Sequence, residues 1–143
     1  MKNNFNFKNI LIIIAMPILG FILLNLTFVF DALFQLILRT VRIQINMHIL
    51  FAIFILIISW FVLKSKLKNI YKAVYSHVPV AVILVTEGIL LYKWTPAVYI
   101  VGSLTYGIII LYLYKTKKEW YFYYSVSWLT LALLIMVILG VDI

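Results

Sequence analysis

An all-α membrane fold of five transmembrane helices is what this chain of 143 residues predicts, and three observations predict it. The residues are 66% hydrophobic and only 11% charged, where a soluble domain carries about 25% charged residues to cover its surface. The apolar residues gather into stretches about as long as a bilayer is thick. The cations concentrate in alternate connections between those stretches. With a mean hydropathy of +1.16, these features exclude a disordered chain, a coiled coil and a soluble enzyme core. Residues 1–143 read as a single transmembrane domain.

A helix rising about 1.5 Å per residue needs about 20 apolar residues to cross about 30 Å of hydrocarbon. The first span falls at about 10–30. Lys2 and Lys8 precede it, as in a secretory signal. The run is nevertheless longer than a signal's about 7–15 apolar residues, and Thr-Phe-Val-Phe-Asp ends it, so it reads as a retained span. Pro17 and Gly20 within it predict a kink. Over about 31–44, Thr27, Asp31, Gln35 and Arg39 recur every four residues and Arg42 follows three later. That spacing predicts an amphipathic continuation along the outer surface, or a bend back into a polar cleft.

The second span falls at about 47–63. In the segment at about 64–77, Leu67, Ile70, Tyr71 and Val74 share one face. This predicts a short amphipathic helix on the inner leaflet, with Lys64, Lys66, Lys68 and Lys72 directed to anionic headgroups. The third span, at about 78–92, is short for a crossing and needs snorkelling ends or burial among its neighbours. The fourth falls at about 97–114, where Ser103 and Gly107 form a small-residue pair that permits close helix approach. The fifth falls at about 121–141.

The cations orient the chain. Lys2, Lys8, Lys64, Lys66, Lys68, Lys72, Lys115, Lys117 and Lys118 fall on one side, and Arg39, Arg42 and Lys93 on the other. The positive-inside rule then puts the N-terminus in the cytoplasm and the C-terminus outside. Glu119 leaves the inner face at +8, while Asp31, Glu87 and Asp142 cancel the outer cations. The basic charge is therefore a topology signal and not a nucleic-acid surface. A four-span chain would carry Lys115, Lys117 and Lys118 across and erase the bias. A multi-pass plasma-membrane protein is expected, and the richness in lysine and isoleucine suits an AT-rich prokaryotic genome.

A charge at the bilayer centre costs at least about 2.5–3.5 kcal/mol, so polar groups within spans are the natural candidates for a site. Glu87 lies six residues before Lys93, about 9 Å from the outer end of its helix. His48 opens the second span, Asn25 and Asp31 come from the first, and Lys93 sits at the rim. With Arg39 and Arg42 these residues predict an outward-facing polar pocket. In it Glu87 binds a proton or a cation, or pairs with His48 or Arg42, while Asp31 and the arginines select charge.

No HExxH, GxSxG, phosphate-loop or paired-carboxylate motif is present in the sequence, and with no cysteine there is no thiol chemistry. The two histidines, His48 and His77, are expected on opposite sides, so neither metal nor other cofactor is expected. No resemblance carries residue roles over from a known family. Three functions fit. The first is a transporter or membrane ligand-binding protein working as an oligomer. The second is an accessory subunit or immunity-type protein of a larger membrane complex. The third is an intramembrane enzyme built on Glu87, Asp31 and His48.

Overall fold

The computed structural model describes residues 7–40 and 46–139. Its helices are α1 (Phe7–Thr40), α2 (Met47–Lys64), α3 (Asn69–Tyr75), α4 (His77–Leu91), α5 (Thr95–Lys115) and α6 (Trp120–Ile138). Among the described residues five segments are long and apolar enough to cross a membrane, with α3 and α4 together forming the third, Asn69–Leu91. The protein is thus an all-α, multi-pass membrane protein. Short connections turn each span back against the one before it.

Helix α1 has 34 residues, hence a length of about 51 Å, well beyond the hydrocarbon thickness. It continues past residue 30 as a helix, the first of the two expected alternatives, and does not bend back within its described length. It runs unbroken through Asp31 and Gln35 to Thr40, and residues 41–45, including Arg42, lie outside the described residues. The polar stripe faces protein rather than outer water: Thr27 is buried, and Asp31 and Gln35 are half-buried. Pro17 lacks the N–H that would bond to the carbonyl of Ile13. The Tyr124 hydroxyl of α6 donates to that carbonyl instead, at 3.0 Å. The helix therefore continues through the proline with its freed acceptor satisfied.

The third span divides because of Pro79. Placed in the first turn of α4, its missing N–H falls among groups that have no intrahelical partner anyway. A helix unbroken from α3 would instead lose its bond to Tyr75. The chain turns at Ser76, whose hydroxyl donates to the carbonyl of Ala73 at 2.6 Å. Segment 64–77 is therefore not a single surface helix. Lys64 ends α2, Leu67 lies in the turn, and Ala73 and Val74 of α3 are buried against α1 and α6. At its start, Asn69 donates to Glu119 at 2.6 Å. Hydrogen bonds from Tyr121 and then Asn69 hold the exposed Glu119 carboxyl below its usual range. The contact is at full strength above that range and weakens as pH falls through the lowered value.

Helix α4 is the centre of the bundle and packs against α1, α2, α5 and α6. His77 through Val82 are all buried. One core joins Met16, Ala73, Val80, Ala81, Phe122, Val126 and Leu129. A second joins Phe51, Ile55, Val78 and Val82, and above it the rings of Phe34 and Phe51 lie 5.6 Å apart. The outward faces of α1 and α5 remain apolar and exposed, as lipid contact requires. Near Gly107 no side chain or backbone of another element would meet an added Cβ within 4 Å. Among the described residues no other element therefore approaches closely at Gly107.

Replacing Tyr124 with Phe strands the Ile13 carbonyl and should lower stability by about 1–3 kcal/mol. In a Pro17→Ala background the restored N–H caps that carbonyl, so the same change should cost markedly less. Thermal unfolding of the four proteins in detergent reads this coupling directly.

Candidate functional site: a carboxylate cleft between three helices

Beyond Val82 the packing around α4 loosens. A half-open cleft of about 770 Å³ lies between the second half of α4, the first half of α5 and the second half of α6. It sits at the end of the bundle where α4 turns into α5. Its walls are mostly apolar, with Leu84, Val98, Leu133 and Val137 among them. Glu87 lines it, and the Thr105 hydroxyl donates to Glu87 Oε1 at 2.6 Å. The other carboxylate oxygen, Oε2, is buried with no hydrogen-bond partner. Across the cleft Tyr106 and Ser127 share a hydrogen bond of 2.8 Å. Gly88 and Gly102 keep the wall low: an added Cβ at Gly88 would meet nothing within 4 Å.

A second polar cluster joins α1 to α2. The Gln35 amide donates to Asp31 Oδ2 at 3.0 Å and approaches His48 Nδ1 at 3.4 Å, bridging the two. His48 Nδ1 lies 3.7 Å from Asp31 Oδ2, so protonation of the imidazole would turn this proximity into an ion pair. Asp31 Oδ1 is buried without a partner. The Asn46 side chain caps α2 by accepting from the His48 backbone N–H at 3.1 Å, which fixes the start of the helix and the imidazole on it.

The third cluster is one that sequence spacing does not reveal. His77 Nδ1 lies 2.9 Å from the Val74 carbonyl and 2.8 Å from Ser125 Oγ. A carbonyl only accepts, so Nδ1 carries the ring proton. Ser125 then directs its own proton to the Ala73 carbonyl at 2.7 Å. A serine beside a histidine is the arrangement of a nucleophile and its base, but here the hydroxyl proton points away and Ser125 is 0% exposed. The cluster is a lock. Nε2 has no hydrogen-bond partner and the ring abuts Gly20, where a Cβ would fall 2.7 Å from the imidazole. Gly20 thus serves as the notch that admits His77, and α1 is unbroken through it.

Among the described side chains, the sequence-predicted residues fall into separate groups. Asp31 and His48 come together through Gln35 between α1 and α2, while Glu87 of α4 is held by Thr105 of α5. No hydrogen bond or ion pair joins these two groups among the described residues. Asn25 is exposed and donates to the Phe21 carbonyl of its own helix at 2.8 Å. Lys93 is exposed, its ammonium 5.8 Å from the Tyr92 ring centre. Arg39 belongs to the last turn of α1. Thr105, Tyr106 and Ser127 were not foreseen; Thr105 follows Glu87 by 18 residues, a separation that only the α4–α5 turn converts into contact. No protein-family model, curated protein or solved structure matches the chain.

Gly20→Ala should cost about 1–3 kcal/mol through overpacking against the imidazole. The same substitution should cost much less in His77→Ala, where the ring is gone. Chemical unfolding of the two pairs in mild detergent checks the notch.

Proposed function

We propose that this is a small transporter or membrane ligand-binding protein whose working group is Glu87. One observation carries the reading: a carboxylate oxygen is buried beside a cleft without a donor. Inside a bilayer such an acceptor is costly, and a proton or a cationic ligand satisfies it. In the proposed orientation the N-terminus is cytoplasmic and the C-terminus outside, so the cleft opens outward with Lys93. Lys64, Lys66, Lys68 and Lys72 then meet anionic headgroups of the inner leaflet of a prokaryotic plasma membrane. Lys64 is already anchored, its ammonium 3.8 Å from the Trp60 ring centre.

Asp31 and His48, bridged by Gln35, are assigned to the same outward half as a second charge-sensing pair. The protein works as an oligomer in this reading, and the uncovered small-residue face of α5 supports that. The same broad apolar surface favours one rival, an accessory subunit held in a larger membrane complex.

Dicyclohexylcarbodiimide, an apolar reagent that adds to protonated carboxyl groups, tests the site. Intact-mass and peptide analysis should find the adduct on Glu87 and find none at that position in Glu87→Gln. A folded protein left unlabelled at Glu87 contradicts an open site. Copurification of a stoichiometric partner in mild detergent would then replace this reading with the accessory one.

A further inference from the structure

Resting on the proposal that Glu87 is a ligand site, we infer that the cleft takes lipophilic monovalent cations, which exchange with a proton at Glu87. Among the described residues Glu87 is the single charged group lining the cleft. One carboxylate neutralises one positive charge, so a proton and a cation exclude each other there. The surrounding wall is apolar and contains three tyrosines, Tyr92, Tyr99 and Tyr106. Aromatic faces attract cations and the aliphatic wall takes their apolar substituents. A small hydrated ion would leave that wall empty, and an anion would meet the carboxylate. At about 770 Å³ the cleft has the capacity of a site for a drug-sized molecule.

The other described groups lining the cleft are neutral, and the one cation near its mouth, Lys93, is exposed and does not line it. Thr105 of α5 donates to Oε1. The α6 wall contributes Ser127 and Thr130 and no ionisable side chain. The titratable neighbours in the cleft are the three tyrosines. Asp31 and His48, on helices that also pack against α4, engage each other through Gln35. The pH response of binding therefore belongs to Glu87.

The test is equilibrium binding of tetraphenylphosphonium to the full chain in mild detergent, with tetraphenylmethane as the neutral counterpart of the same shape. Phosphonium affinity should fall once acidification protonates the carboxylate that the cation requires. Glu87→Gln keeps the volume and the acceptor for Thr105 but removes the charge, and should weaken phosphonium binding at least about tenfold and abolish its pH dependence. Glu87→Asp keeps the charge and should retain most of the binding. Four outcomes overturn the inference. If the phosphonium fails to bind while carbodiimide still labels Glu87, the site stands and the ligand class is wrong. If neither reaction occurs, the site itself falls. If the neutral compound binds as tightly, or Glu87→Gln changes nothing, the cleft is only a greasy surface.

Discussion

Hydrocarbon offers no partner to a backbone or side-chain polar group, and the arrangement of this bundle follows from that constraint. The hydroxyls of Thr27, Ser59 and Thr130 bond back to carbonyls one turn earlier in their own helices. The carbonyl freed by Pro17 is met by Tyr124 from the far end of the sequence. Ser76 and Ser125 converge on the one carbonyl of Ala73. Against this background the exceptions among the described residues are informative. Asp31 Oδ1, His77 Nε2 and Glu87 Oε2 are buried without partners. His77 is sealed within the packing against Gly20, where no ligand fits. Glu87 instead borders a cleft, where its unpartnered oxygen is beside open space.

The bundle consequently has a tight half and a loose half. At the level of Gly20, His77 and Ser125 the helices α1, α4 and α6 approach until only a glycine and small side chains fit between them. Further along α4, away from that lock, side chains no longer meet on every side and the cleft opens. Dense packing resists rearrangement in the lower half, while above it the cleft separates parts of α4, α5 and α6.

The five crossings were legible because helix length and apolar content are properties of contiguous sequence. The short third span was legible only in outline. Its division at Ser76 depends on Pro79, and its burial depends on four neighbours that no local pattern specifies. The stripe of Thr27, Asp31 and Gln35 was visible as a stripe, but the direction it faces was not, because either water or α2 would satisfy it. Glu87 and His48 stood out by their cost in a bilayer. Their partners, Thr105 and Gln35, did not, since a threonine or glutamine in a helix is unremarkable until a turn brings it opposite a carboxylate or an imidazole. Ser125 and His77 lie 48 residues apart, and only the bundle joins them.

The account turns on the Glu87 cleft opening on the face opposite the lysine-rich connections. The chain contains no cysteine, so single cysteines at Lys66, Lys93 and Lys117 need no altered background. A membrane-impermeant maleimide applied to intact cells should label Lys93→Cys at once. It should reach Lys66→Cys and Lys117→Cys only after the membrane is permeabilised. Labelling of position 93 from the same side as position 66 or 117 would contradict the five-crossing topology, and with it the outward-facing cleft.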